Sequence, residues 1–188
     1  MAQAAKGAAF QLGALVGAGA TISSGWSVSN EISMVNNQLG RTGDVAKLTG
    51  GEISQVLRGG VAGDAHEAAS AVGALQSQFG YLGYEGEQTA AQLSDNFLAF
   101  TQTFEVDMAE ATQTAGQLVK NGLAADVEDA ADLMTTAMQR VPAQMRGEMP
   151  EIINEYGTNF RALGFSGQEA FGMLVAQAQN GKLSLIHI

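Results

Sequence analysis

The chain contains no cysteine, only 2 prolines and few aromatic residues. Without cysteine it has no disulfide, no thiolate nucleophile and no thiolate metal ligand. Aromatic residues make up 6% of the chain although hydrophobic residues make up 46%, so a core must be built mainly from Ala, Leu, Val and Met. The 24 glycines therefore take over from proline as the residues that separate helices, chiefly as C-caps.

Basic residues are also scarce, with 9 Lys and Arg against 19 Asp and Glu and a formal net charge of −10. Sequence-independent binding of nucleic acid draws its strength from Lys and Arg placed at phosphates. The charge balance therefore argues against nucleic acid as a specific partner. The acidic excess favours a well-solvated, soluble surface.

The chain does contain an internal repeat. Residues 60–77 read GVAGDAHEAASAVGALQS, and residues 122–139 read GLAADVEDAADLMTTAMQ, 62 positions later (122 − 60). Each copy has a glycine turn, an apolar residue followed by Ala, an Asp cap and an amphipathic helix. A repeat of this kind predicts stacked helix pairs, and it directs attention to surfaces rather than to a catalytic cleft.

A run without charged residues extends from residue 7 to residue 30, which is long enough to cross a membrane. Within it, Gly13 and Gly17 have the spacing at which small residues let two helices approach closely, so they are the candidate self-association residues. Polar Gln, Thr, Ser and Asn dilute the run. Three interpretations stay open: a Gly/Ala-rich helix buried in protein or in self-association, a helix that inserts into a bilayer through residues 7–28, and a signal peptide.

From residue 31 onward, apolar residues recur at helical spacing, and no stretch alternates with period two over the length of a strand. The predicted fold is all-α, an array of short helical hairpins with about nine helices, preceded by the Gly/Ala-rich N-terminal helix. Asp64, Asp107 and Asp126 are predicted N-caps, and Ser166 with Glu169 is a predicted capping box.

Glycine and proline pairs give two sharper expectations. Gly50 and Gly51 are predicted to separate a short helix over residues 44–48 from another over 52–58. Pro142 and Pro150 predict a short turn over residues 142–147 and then a helix over 150–163. The buried side of that helix is predicted to comprise Ile153, Tyr156, Phe160 and Leu163.

No complete catalytic or metal site is found in the sequence. His66 would need a second metal ligand one helical turn away, but those positions are Ala62 and Ser70. The acidic group over residues 126–132 lacks the glycine and glutamate of a calcium loop and is predicted to be a solvated helix start. A glycoside hydrolase needs two carboxylates that face one cleft, and residue type alone nominates Glu105, Glu110, Glu151 and Glu155. No catalytic, metal-binding or cofactor-binding residue is therefore predicted, and the chain is not predicted to be an enzyme.

Two stretches carry a family resemblance. Residues 121–134 read NGLAADVEDAADLM, and residues 141–182 read VPAQMRGEMPEIINEYGTNFRALGFSGQEAFGMLVAQAQNGK. Together with the Gly-rich N-terminal arm and the segment VNNQLG over residues 35–40, they make the chain resemble tail tape measure proteins of long-tailed phages that infect actinobacteria. The resemblance covers most of the chain, although Pro150 departs from the unbroken helix of the family.

The resemblance implies a structural virion protein. Such proteins lie inside the tail tube, set tail length during assembly and leave ahead of the genome on infection, and several act on or in the host envelope. The implied partners are further copies of the chain inside the tube, the tail tube protein, tail assembly chaperones and, as a further candidate, the host membrane. Some members carry peptidoglycan hydrolase domains, but none of their motifs matches residues of this chain.

The sequence is predicted to divide into an uncharged arm (residues 1–30), a helical-repeat domain (31–182) and a tail (183–188). The tail reads LSLIHI and resembles translated sequencing adaptor. A fully helical chain of this length would span at most about 280 Å, so the ruler of tail length is expected in sequence outside this segment. Three functions compete: a tape measure segment, a membrane-active protein that inserts through residues 7–28, and, less favoured, a cell-wall hydrolase.

Overall fold

The computed structural model describes residues 22–80 and 89–180. Over those ranges the fold is all-α, as predicted, and they contain no strand. One 3₁₀-helix spans Ala143–Glu148. The eight α-helices are α1 (Ile22–Gln38), α2 (Gly43–Gly59), α3 (Ala65–Phe79), α4 (Ala90–Phe104), α5 (Met108–Lys120), α6 (Val127–Arg140), α7 (Met149–Ala162) and α8 (Gly167–Gln179).

The chain divides into two compact units, residues 1–73 and residues 74–188, with the boundary inside α3. In the first unit, α1 and α2 form a hairpin. The side-chain amide of Asn36 on α1 donates to the carbonyl oxygen of Ala46 on α2 at 3.1 Å. Arg41 in the connecting turn donates to the hydroxyl of Thr49 at 3.0 Å. The division predicted from the sequence, an arm over 1–30 and one domain over 31–182, stays a prediction.

The prediction that Gly50 and Gly51 end a helix is wrong, because α2 runs without a break from Gly43 to Gly59. The reason is tertiary packing. Gly50 is buried against α1, where an added Cβ would lie only 3.2 Å from Cγ2 of Ile32. The missing side chain thus allows two helices to approach closely, and the intrinsic cost of glycine in a helix is offset by that packing. This merger removes one helix from the predicted number of about nine, and residues 22–80 and 89–180 contain eight α-helices.

The core of the second unit is built from the end of α3, which contributes Leu75 and Phe79, and from α4 to α8. α5 packs against both α6 and α7, and α8 packs against α6. Alanine lets these helices approach closely, and Ala111, Ala115 and Ala130 are fully buried. The larger side chains that fill the spaces between the helices are Phe97, Leu98, Leu118, Met134, Met138, Met149 and Ile152.

Around Pro150, the predicted order of a short turn followed by a helix is confirmed, because Pro150 lies in the first turn of α7. The predicted burial of Leu163 is wrong, since its side chain is 73% exposed. The helix ends at Ala162. Ile153 is buried as predicted, Tyr156 and Phe160 are half-buried, and the buried side also includes Gly157. Leu163 is the C-cap residue beyond that buried side, so the helical period that predicted its burial no longer applies there.

Candidate functional site

The repeated segments share a backbone turn. Gly60 follows α2 with a φ of +79°, and Gly122 follows the end of α5 with a φ of +70°. Both values lie in the left-handed region, which costs a residue with a Cβ and costs glycine little. The two positions predicted as glycine turns therefore redirect the chain in the same way, once in each unit.

The cap that follows each turn is also the same. The carboxylate of Asp64 accepts a hydrogen bond from the backbone N–H of Glu67 at 2.9 Å, and that of Asp126 accepts one from Asp129 at 2.9 Å. In return, Glu67 accepts from the N–H of Gly63 at 2.7 Å, and Asp129 accepts from that of Ala125 at 2.9 Å. The predicted caps are confirmed. The carboxylates of Asp126 and Asp129 thus satisfy backbone donors at a helix start.

A third occurrence of this arrangement starts α8 and was missed as a repeat in the sequence. Gly164 has a φ of +85°, and Ser166 and Glu169 form the predicted capping box. The backbone N–H of Ser166 donates to Glu169 at 2.9 Å, so the acid again accepts a reciprocal bond, although here the donor is the cap residue itself rather than the residue before it. Ala170 follows Glu169 and is buried. In the same way, the buried Ala68 follows Glu67 and the buried Ala130 follows Asp129. The turn is shorter, which hides the match when the chain is aligned at a fixed offset.

The histidine and acidic candidates occupy separate surroundings. His66 is exposed, and its Nδ1 lies 3.2 Å from a carboxylate oxygen of Glu31, a contact that the sequence did not indicate. His187 lies outside the described residues. Over residues 22–80 and 89–180, no group of three His, Cys, Asp or Glu is placed to hold a metal ion.

Of the four glutamates nominated by type, Glu110 and Glu151 come near each other where α5 meets α7. Burial raises the pKa of the Glu110 carboxyl, and the negative charges of Asp107 and Glu151 raise it further. Glu105 ends α4 with a φ of +57°, and Glu155 is exposed on α7. Glu110 and Glu151 line neither of the grooves described next.

Two grooves flank α6, the helix of the second repeat copy. The groove between α4 and α6 encloses about 420 Å³, and the groove between α6 and α8 encloses about 390 Å³. Asp132 lines both. The first groove has Glu128 as its other charged residue, whereas the second has Asp129 and Arg140. Both grooves are concave surfaces of the second unit that a partner could contact.

The N-terminal candidates cannot be placed in this framework. Gly13 and Gly17 lie outside the described residues, as do most of residues 7–28. Among the helices of the described part of the chain, none has both the length and the apolar character needed to cross a membrane.

Comparison with protein families gives a match over most of the described chain. The model of a family described as phage-related minor tail protein matches residues 60–185 of the chain. The match includes both copies of the repeat, both grooves and the two stretches that carry the resemblance to tape measure proteins. No curated protein and no solved structure matches the chain significantly.

Proposed function

The chain belongs to the phage-related minor tail protein family, and on that premise we propose that it is a segment of a tail tape measure protein. Family membership gives it a structural role in a phage tail and a place in the virion tail. The proposal adds the finer role: it lies in the lumen of the tail tube, takes part in tail assembly and length determination, and leaves with the genome on infection.

The family match over residues 60–185 carries this proposal. Two further observations support it. The stretches 121–134 and 141–182, which resemble tape measure proteins, lie inside the matched range. The structure consists of α-helices joined by repeated turns and packed through buried alanines, which is the architecture expected of a helical structural protein.

The proposed partners follow from that role. Copies of the chain would associate through the N-terminal helix at Gly13 and Gly17, inside a tube formed by the tail tube protein and with the help of tail assembly chaperones. The chain itself would hold no cofactor and catalyse no reaction. The host envelope would be its site of action after release.

Virions of a phage that encodes this chain provide the test. Antibodies to the second unit should fail to bind intact tails, and mass spectrometry should find the chain in purified virions and lose it after triggered ejection. An amber mutation in the gene should give no tails or tails of irregular length. Normal tails from the mutant, or antibody binding along the outside of intact tails, would refute the proposal.

The uncharged run over residues 7–30 favours a second candidate, a membrane-active protein that inserts through residues 7–28. Flotation with liposomes should then require residues 1–30, and binding that survives their deletion would exclude insertion through this segment. Hydrolysis of cell wall is tested by zymography on peptidoglycan, where a clear lytic band would show an enzyme.

A further inference from the structure

The groove between α4 and α6 has an aromatic floor. Phe97 and Phe100 are almost completely buried beneath it, and Phe104 is half-buried at one end, with ring centres 5.0 Å apart for Phe100 and Phe104. Met134 and Ala131 line the side formed by α6. Grooves of this kind bind apolar side chains by removing them from water.

The charged residues that line the groove are both acidic, and both lie on α6. Glu128 and Asp132 lie one helical turn apart on α6, and none of the lining residues is Lys or Arg. The wall formed by α4 is uncharged, with Asn96, Ala99 and Thr103. Arg146 stacks on Phe104 with its guanidinium 5.6 Å from the ring centre, but it does not line the groove. A ligand that fits the groove therefore meets negative charge along one edge.

The groove extends along both helices. It is lined from Leu93 to Phe104 on α4 and from Glu128 to Gln139 on α6, a length of about 17 Å on each helix at 1.5 Å per residue. An amphipathic helix of about three turns covers the same length and can present an apolar face to such a groove. Basic residues on the flank of that helix, one turn apart, would face Glu128 and Asp132.

A second copy of the chain is a poor occupant for this groove. Each copy carries a net charge of −10, and acids outnumber Lys and Arg by 19 to 9. Helices of a second copy would on average bring negative charge to an edge that is already negative, which opposes association.

We propose that the groove between α4 and α6 binds a basic amphipathic helix of another protein, with its apolar face on the phenylalanine floor and Lys or Arg beside Glu128 and Asp132. This surface is independent of the tape measure role, because it rests on residues of the second unit and would exist whatever the chain does in the virion.

The test uses the full 188-residue chain and two labelled peptides of about 14 residues that share an apolar leucine face. One peptide carries lysine on its flanks and the other carries glutamate, and binding is measured by fluorescence anisotropy. The lysine peptide should bind at least about tenfold more tightly than the glutamate peptide, since like charges at the edge disfavour the latter. Equal affinity for the two peptides would contradict the proposal.

Paired variants separate this groove from the general acidity of the chain. Glu128→Gln with Asp132→Asn should weaken binding of the lysine peptide about fivefold, because an ion pair at the half-buried Glu128 or the exposed Asp132 contributes modestly. Glu148→Gln with Glu155→Gln changes the net charge equally at exposed positions outside the groove and should leave affinity within about twofold. If both pairs weaken binding to the same extent, the groove is not the binding site.

A blocking variant tests the floor independently of charge. Ala99 is exposed on the α4 wall, so Ala99→Trp should fill the groove and abolish binding, whereas Ala109→Trp, at an exposed position of α5, should not. Circular dichroism establishes that all variants fold. Unchanged binding by Ala99→Trp would overturn the proposal. If sedimentation shows that the chain self-associates and that Ala99→Trp abolishes this self-association, a second copy of the chain occupies the groove instead.

Discussion

Gly167, the first residue of α8, lies directly against the backbone carbonyl oxygen of Leu123, and a Cβ at position 167 would overlap that oxygen. The same Cβ would come within 2.8 Å of the side chain of Leu133 on α6. Leu123 belongs to the linker that follows Gly122 in the second repeat copy. The start of α8 therefore packs against the turn at Gly122 and Leu123, through a contact that only glycine permits.

Replacing Gly167 should break this contact. We expect Gly167→Ala to lower the free energy of unfolding by about 2–3 kcal/mol, because the added methyl group must displace backbone. Gly172→Ala, on the same helix with open space around it, should raise stability by about 0.5–1 kcal/mol. Urea denaturation followed by circular dichroism measures both. A Gly167→Ala protein as stable as the parent would show that the helix can shift away freely.

The adjacent glycines of α2 should respond differently to the same change. Gly51 has no neighbour within 4 Å of an added Cβ, so Gly51→Ala should stabilise by about 0.5–1 kcal/mol through helix propensity. Gly50→Ala should show no such gain, because its methyl group would press on Ile32. Thermal unfolding of the two variants gives the comparison, and an equal gain at both positions would argue against a close α1–α2 approach.

The cap of the second repeat copy should contribute measurably to stability. Asp126→Ala is expected to cost about 1 kcal/mol, because the backbone N–H of Asp129 loses its acceptor. Asp126→Ser should recover most of that loss. Asp132→Ala removes the same charge from an exposed position within α6 and should change stability by less than about 0.5 kcal/mol. Equal losses for Asp126→Ala and Asp132→Ala would mean that charge, and not capping, matters.

Two glutamates at equivalent positions in the first turns of their helices should titrate in opposite directions from the ordinary value of 4.5. Hydrogen bonds from the backbone N–H and the hydroxyl of Ser166 lower the pKa of Glu169, whereas burial, followed by the charges of Asp107 and Glu151, raises the pKa of Glu110. NMR of the side-chain carboxyl carbons should find Glu169 titrating at lower pH than Glu110. The reverse order would contradict the described packing.

The pKa shifts of Glu110 and Glu169 determine how the stability of the fold depends on pH. The folded-state pKa of Glu110 lies above 4.5, so its contribution to stability is present below 4.5 and is lost as pH rises through the raised pKa. Glu110→Gln should therefore be more stable than the parent at neutral pH, by about 0.5 kcal/mol, with no such gain at low pH. For Glu169 the sign is opposite, and its contribution is lost as pH falls through the lowered pKa.

Local patterns predicted the helix starts well. The caps at Asp64, Asp107, Asp126 and Ser166 were all predicted, because a cap is a hydrogen bond between residues two or three apart. The glycine turns were predicted for the same reason. The third turn, at Gly164, escaped recognition as a copy because its linker is shorter, and it is related to the others by its backbone conformation, a reciprocal hydrogen bond to the acid and the buried Ala170.

Features that depend on distant residues were not predicted. Gly50 was predicted to be a helix breaker, although Ile32 on another helix makes it a close-contact residue. Leu163 was assigned to a buried side that ends before it. The contact of His66 with Glu31 joins residues 35 positions apart, and no local pattern indicates it. The groove likewise exists only because α4 and α6 pack side by side.

The sequence alone determined that this protein is helical, where most of its helices begin and that its acids serve as caps, because those properties follow from hydrogen bonds and turns between neighbouring residues. Only the tertiary structure decided which glycines are contacts rather than breaks, which apolar residues stay exposed and where an acidic, aromatic-floored groove opens. Those properties depend on which helices meet, and that is set by burial summed over the whole chain.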